Sequence, residues 1–306
     1  MLWPLLGYDI MNDWNPHKLK DPNSGEVLNY IPTFINWRLS FAKIALEKAI
    51  ERESTLSIII QGPLNDRSIS TIPSYLNYGE VIVSCWDTDD LSRLDAYKDK
   101  IKIVVSKFSE TQSYPRRPGS QSPWILQNMT TRNALRVATG FSSIKLRSDE
   151  SFPILGPVID KLKTNRDSKN EETGVFNWFK IVTSNIYFRH DIEKKFHPSD
   201  HIIAGQTSRM KEIFEYSCKL CSKKQEIKFP EQLICQAVIE TYRDPILKRY
   251  DYLDFSNSVN LMKKHFDIVR IRDLPQRIWT SSYRKYDKLF GEEIWCHDIN
   301  DIGIGY

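Results

Sequence analysis

Four short apolar runs, each closed by turn-forming residues and separated by helix-like segments, constrain this chain most. Residues 56–62 (LSIIIQG), 79–87 (GEVIVSCWD) and 101–107 (IKIVVSK) are nearly unbroken in Val and Ile, while 143–151 (SIKLRSDES) starts apolar and ends polar. Runs without polar alternation belong to strands buried on both faces, as in a parallel sheet covered on each side. Between the runs lie a helical segment around 68–77, a short helix in TDDLSRLDAYKD with acidic residues in its first turn, and a helix over 124–140 that stops at Gly140. Such alternation with short connections predicts an α/β fold with a mostly parallel central sheet and helices on both faces. Ligands of these sheets sit beyond the carboxyl ends of the strands. That rule singles out Gln61-Gly62-Pro63, Cys85-Trp86-Asp87, Lys107 onward, and Arg147-Ser148-Asp149-Glu150.

The flanks are less regular. Residues 1–34, rich in Pro, Asn and Asp, read as an irregular arm, and 35–53 as a helix with Trp37, Phe41, Ile44, Ala45 and Leu46 near one stripe. Residues 108–123 have the composition of a loop, with three prolines and the pair Arg116-Arg117. Strand-like stretches in 174–191, a short strand at 201–206 followed by a helix from about Ser208, and a helix over 230–243 complete the second half. The tail from 275 carries Trp279, Tyr283, Tyr286, Phe290 and Trp295 and is expected to wrap onto the body. With no internal repeat and no long linker, the chain reads as a single compact unit.

Composition narrows the function classes. A hydrophobic fraction of 41% and a charged fraction of 27% over 306 residues exclude global disorder. A net charge of +4, from 43 basic and 39 acidic residues, is not the concentrated basic footprint of a nucleic-acid binder, so no nucleic-acid partner is expected. It suits anionic ligands or peripheral contact with an anionic membrane surface. Five irregularly spaced cysteines point to a reducing compartment, and the single C-x-x-C, Cys218 and Cys221, reads as two ordinary thiols at a helix end. The N-terminal segment lacks a basic n-region and a cleavage site, and no run approaches the roughly 20 apolar residues that span a bilayer. A cytoplasmic protein, at most peripheral at the inner face of the membrane, is the expectation.

Asp149 follows an apolar strand, between Arg147 and Glu150. A carboxylate there can hold a divalent cation against a diphosphate, since Mg²⁺ and Mn²⁺ favour a few carboxylates plus phosphate oxygens. It can equally cap the next turn. Its surroundings resemble the WavE lipopolysaccharide-synthesis family of glycosyltransferases. The shared elements are Ile60-Gln61-Gly62-Pro63, Ser84-Cys85-Trp86, Asn128 through Arg132, Gly140-Phe141, Lys145-Leu146-Arg147-Ser148-Asp149, and His197-Pro198-Ser199-Asp200 through Gly205. They keep their order over roughly residues 56–240, with Asn133 after Arg132 where the family usually has Gln, and nothing recognisable beyond 250.

The resemblance implies a GT-A-like nucleotide-sugar-binding fold. It divides the chain into an arm and packing helix (1–55), a catalytic domain (56–250) and an aromatic-rich extension packed on the same unit (251–306). By the same resemblance Gln61 and Gly62 lie near the base or ribose, Pro63 shapes the turn, and Asp87 hydrogen-bonds uracil or ribose or else caps a helix. Arg132 and Arg147 join the donor site, and Asp149 holds Mn²⁺ or Mg²⁺ as a degenerate D-x-D whose first position is Arg147. The Arg116-Arg117 pair would close over the diphosphate or else belong to a solvated basic loop, and Trp86, Trp124, Trp178 and Tyr187 would stack on sugar or base or else fill the core. An inverting transfer needs a base for the acceptor hydroxyl. Asp200 and Glu231 are the candidates, with Asp200 favoured because Glu231 is also a suitable first-turn charge. The implied partners are a nucleotide-sugar donor and a glycan or lipid-linked acceptor of the lipopolysaccharide or capsule type. The competing expectations are a nucleotidyltransferase acting on sugar phosphates and a non-catalytic glycan-binding domain.

Overall fold

A seven-stranded sheet in the order β3-β2-β1-β4-β6-β5-β7 organises the described part of the molecule. The computed structural model describes residues 55–116, 122–168, 179–185, 197–222, 229–241, 262, 264–270 and 273–274. Two units divide the chain, Met1–Glu51 and Arg52–Tyr306, and the described residues all belong to the second. The expected arm, the helix over 35–53, the aromatic tail, Arg117, Trp178 and Tyr187 lie outside the described residues.

The four apolar runs are the strands β1 (Leu56–Gln61), β2 (Glu80–Trp86), β3 (Lys102–Ser106) and β4 (Ser142–Arg147). β2 pairs with β1 and β3, and β1 with β4, all in parallel. Every residue of β1 is buried, as its unbroken apolar run requires. Helix α1 (Asp66–Leu76) starts at Asn65, whose side chain accepts from Arg67 N, and α2 (Leu126–Val137) returns the chain towards β4. The acidic segment after β2 forms a 3-10 turn over Leu91–Tyr97, capped by Asp90. Three further strands, β5 (Ile181–Ser184), β6 (Ile202–Gln206) and β7 (Phe266–Val269), extend the sheet beyond β4. Helix α3 (Gly156–Asp167) carries few apolar residues, and neither it nor β7 is evident from the sequence pattern. Helices α4 (Thr207–Cys221) and α5 (Pro230–Thr241) fall where helical periodicity places them.

Helices cover both faces. Ile59, Ile82 and Ile203 pack with residues of α2, α4 and α5, such as Ala134, Phe214 and Leu233. On the other face Ile58, Ile60, Val83, Ile144 and Leu146 meet Ile72 and Tyr75 of α1 and Val158 of α3. The sheet is mixed, because β6 runs antiparallel to both β4 and β5. This orientation has a local consequence. The register Leu146↔Ile202 carries the chain that enters β6 to the ends where β1, β2 and β4 stop. No helix among the described residues is long and apolar enough to cross a membrane.

The chain moves outward from β1 to β2 and β3, then crosses back to place β4 on the other side of β1. Such a switch point, where ligands of α/β sheets sit, falls here at the carboxyl ends of β1 and β4, marked by Gln61 and Arg147. Gly62 closes β1 there with φ +125°, its N–H donating to Ser84 O at 3.0 Å. A Cβ at Gly62 would lie 2.6 Å from Ser148 Oγ. Gly62→Ala is therefore expected to lower the stability by about 1–3 kcal/mol through backbone strain and crowding. Urea denaturation measures this as a lower midpoint at constant m. Adding Ser148→Ala should recover only the steric part.

Candidate active site

The turn after β4 is fixed from several directions. Ser148 N donates to Gln61 O at 2.9 Å, which couples it to β1, and Arg67 Nη1 of α1 donates to Asp149 O at 3.2 Å. These restraints present Asp149 at the switch point, with a side chain 36% exposed. Arg147 grips it through Nε to Oδ1 (3.0 Å) and Nη2 to Oδ2 (2.9 Å). Burial opposes the Asp149 charge, but this bidentate pair prevails and holds the carboxyl below the ordinary range.

Asp200 arrives from the amino end of β6. It is 3% exposed, and its Oδ2 lies 3.5 Å from Arg147 Nη1. Lys145, 1% exposed in the middle of β4, donates from Nζ to the main-chain oxygen of Asp200. Burial lowers the lysine's pKa, against the pull of Asp200. For Asp200 burial works against ionisation too, but Arg147, Lys145, His201 and His197 hold its carboxyl far below the usual value.

Two carboxylate–imidazole pairs flank this group. His201 Nδ1 is 2.6 Å from Glu150 Oε1, and both side chains are buried. His201 Nε2 lies 3.9 Å from Asp200 Oδ1. Glu150 Oε2 has no hydrogen-bond partner among the described residues. On the outer side, His197 Nε2 is 3.6 Å from Glu231 Oε2, and its ring packs edge-on against Phe229 at 5.0 Å. Glu231 stands in the first turn of α5, with its side chain 15% exposed.

Gln61, Gly62, Arg147, Asp149, Asp200 and, through His197, Glu231 therefore belong to one neighbourhood. Pro63 is exposed just beyond Gly62. Asp87 directly follows β2, which lies next to β1 in the sheet, and its Oδ1 accepts from Phe108 N at 2.9 Å. The carboxylate that ties the β1 and β2 ends together is Asp89, accepting from Leu64 N (3.2 Å) and Trp86 N (2.8 Å). Arg132 donates to Asn133 Oδ1 at 3.2 and 3.1 Å and lies beside Cys218 of α4, while Asn133 Nδ2 donates to Ser106 Oγ at the end of β3. Trp86 and Trp124 are buried in the core, and Arg116 bridges to Pro123. Cys85, Cys218, Cys221 and Cys235 are buried; burial raises the pKa of Cys85 to about 11 and of Cys218 to about 12.

Lys145, Glu150 and His201 are the participants that sequence reasoning left without a role. The available signal was the lysine between Ile144 and Leu146 in a strand of the central sheet, a costly residue there unless it has a partner.

A model of the WavE lipopolysaccharide synthesis family matches residues 56–297, extending well past the motifs visible by eye. The chain belongs to the WavE lipopolysaccharide synthesis family. No curated protein matches this WavE chain. Among solved structures it is similar to the apo-form glycosyltransferase GlyE of Streptococcus pneumoniae TIGR4, at 12% identity over 61% of this chain and 44% of that one, with a TM-score of 0.37. It is also similar to glucosyl-3-phosphoglycerate synthase from Mycobacterium tuberculosis, solved with Mn²⁺, UDP and glucosyl-3-phosphoglycerate, at 15% identity over 79% and 76% of the two chains and a TM-score of 0.40. A third, HddC from Yersinia pseudotuberculosis, matches at 11% identity over 51% and 79% of the chains, with a TM-score of 0.31.

The charge set makes a prediction about stability. Asp200→Asn leaves Lys145 and Arg147 short of a buried counter-charge and should cost about 3–5 kcal/mol. Because the folded pKa of Asp200 is depressed, its contribution is complete above the ordinary value of 3.8 and is lost as pH falls through the folded value. Wild-type stability, followed by chemical denaturation, should decline below about pH 4 as Asp200 and Asp149 take up protons. The variant should decline less steeply over that range.

Proposed function

We propose that this chain is a glycosyltransferase of GT-A-like type, moving a sugar from a nucleoside diphosphate donor to a hydroxyl of a lipopolysaccharide- or capsule-type glycan. Membership of the WavE family supports the substrate class. The observation that carries the reading is the convergence of Arg147, Asp149, Asp200 and Glu231 at the switch point of the sheet. A nucleotidyltransferase would favour a Gly-rich loop with Lys after β1, whereas residues 61–68 (QGPLNDRS) hold one Gly and no Lys and turn directly into α1. A glycan-binding module has no use for a charge set beneath its strand ends that costs desolvation energy.

In this reading Gln61 and Gly62 form the floor under the nucleotide, Pro63 shapes its rim, and Asp87 stands at the neighbouring strand end. Arg132 contributes to helix packing rather than to the donor. Arg147 retains N–H groups beyond those given to Asp149 and Asp200 and offers them to the diphosphate. The fit to a divalent cation rests on the donor set. Asp149 presents hard carboxylate oxygens at a half-exposed position and already faces a positive group, the Arg147 guanidinium. Among the described residues no three His, Cys, Asp or Glu side chains form a metal cage, so Asp149 would supply one carboxylate, with donor phosphate and water completing the shell. A Mn²⁺ or Mg²⁺ ion bound in this way supplies positive charge against the leaving diphosphate.

Glu231 is favoured over Asp200 as the acceptor-side base. Asp200 is 3% exposed and held ionised by two cations, which leaves its carboxylate little affinity for a proton. Glu231 is more open, at a helix start, with His197 to orient it. In a single displacement Glu231 takes the acceptor hydroxyl proton while the acceptor oxygen bonds to the anomeric carbon. The anomeric C–O bond to phosphate breaks, its electron pair leaves with the nucleoside diphosphate, and the configuration inverts.

Glu231→Gln should lower turnover about 10²–10⁴-fold while leaving nucleotide binding intact. The measurement is sugar transfer from a panel of nucleotide sugars with Mn²⁺, beside the rise in melting temperature that each nucleotide gives. No thermal shift with any nucleotide overturns the transferase reading. A shift with unchanged Glu231→Gln turnover overturns only the assignment of the base.

A further inference from the structure

We infer that Arg147 makes cation binding at Asp149 conditional on the donor's diphosphate. The inference rests on the assignment of Asp149 to a divalent cation. The guanidinium holds both Asp149 oxygens, at 3.0 and 2.9 Å, and so takes the position against the carboxylate that a cation would need. It cannot yield by losing its proton, because arginine remains charged in proteins. Its charge also stays close to Asp149. Its backbone ends β4 in register with Gln61, and its Nη1 faces the buried carboxylate of Asp200 at 3.5 Å. Lys145 stands two residues back on the same strand, adding a second positive charge close by. A cation arriving alone therefore meets a carboxylate whose charge is already neutralised, beside a fixed like charge.

A diphosphate changes the balance. It brings at least two negative charges and pairs of oxygens that match the guanidinium fork. Arg147 has five N–H donors, of which three are directed at Asp149 and Asp200. It can turn its fork towards phosphate while Nη1 stays with Asp200, releasing the Asp149 oxygens. Cation and diphosphate then favour each other, and by reciprocity each raises the other's affinity by the same factor. The arginine at the first position of the degenerate D-x-D thus acts as a latch that makes the two ligands bind together.

Equilibrium dialysis of Mn²⁺ against the full chain tests this, with and without inorganic pyrophosphate and corrected for the Mn²⁺–pyrophosphate complex in solution. Wild type should bind Mn²⁺ weakly alone and at least about tenfold more tightly with pyrophosphate, within the usual range of coupling between sites. Arg147→Gln should bind Mn²⁺ alone several-fold more tightly than wild type, with the pyrophosphate effect reduced to about twofold or less. Arg147→Lys keeps the charge and should restore weak binding of Mn²⁺ alone. If wild type binds Mn²⁺ equally with and without pyrophosphate, the latch is overturned, even should Arg147→Gln fail to fold. It is equally overturned if Arg147→Gln leaves the coupling unchanged. Asp149→Asn separates the two levels. Mn²⁺ binding that survives it removes the cation from Asp149 and the latch with it. Binding lost in Asp149→Asn, with coupling intact in Arg147→Gln, overturns the latch alone.

Discussion

The charged seam between β4 and β6 is the interaction on which the rest of the site depends. Side chains two apart on a strand share a face, so Lys145 and Arg147 bring two positive charges to one side of the sheet. Neither can remain there without a counter-charge, and the parallel strands β1 and β2 end in Gln61 and Trp86, which have none to give. The negative group comes from Asp200, delivered by a strand that runs the other way. An antiparallel strand in an otherwise parallel neighbourhood brings its amino end, with the loop that precedes it, to the ligand-binding edge. His197, Ser199, Asp200 and His201 reach the switch point by that route. Ser199 is anchored in turn, its hydroxyl 2.9 Å from Ser184 Oγ and its carbonyl accepting from Thr183 Oγ1.

Legibility of the fold followed the strength of local pattern. β1 and β2 announce themselves because a doubly covered strand is largely apolar, β4 by its Ile144 and Leu146 before a polar end, and Gly62, Gly79 and Gly140 mark places where the backbone turns or passes close to β1. The same logic placed Gln61 and Asp149 at adjacent strand ends. Strand direction, by contrast, leaves no mark in so short a segment as 202–206, and β6 reads the same whether parallel or antiparallel. Helix α3 escaped because its only buried side chains are Val158 and Asn165, too few to produce a periodic stripe. Its start is fixed instead from outside, by Tyr75 and Tyr78 hydroxyls that accept from Phe152 N and Leu155 N.

The positions of candidate residues were legible where strand topology alone decides them, and obscure where loop geometry does. The run Asp87-Thr88-Asp89-Asp90 offers three carboxylates within four residues, and only the folded turn distinguishes them. Asp87 receives the chain after β3, Asp89 ties the loop after β1 to β2, and Asp90 caps the 3-10 turn. Arg132 is a second case: the sequence places it on α2, and the fold alone shows its contacts with Asn133 and with the seam to α4. Helical rotation changes by 100° per residue, and a motif that fixes the helix does not by itself fix its azimuth.

Each position of Lys145-Leu146-Arg147-Ser148-Asp149 meets a separate physical demand, which is why so short a segment can define the site. Leu146 fills the core on the face opposite its charged neighbours. Lys145 fastens the Asp200 backbone to β4, and Arg147 sets the spacing between Asp200 and Asp149. Ser148 seals the turn to Gln61 through its N–H and occupies the space where a Gly62 side chain would otherwise be. Asp149 is the one member left half-exposed. The buried members have their charges or polar groups met within the protein, whereas Asp149 and the remaining N–H donors of Arg147 stand at the more open edge of the group. Burial, rather than residue type, separates the two aspartates on this one arginine: Asp200 is enclosed, and Asp149 is open to solvent.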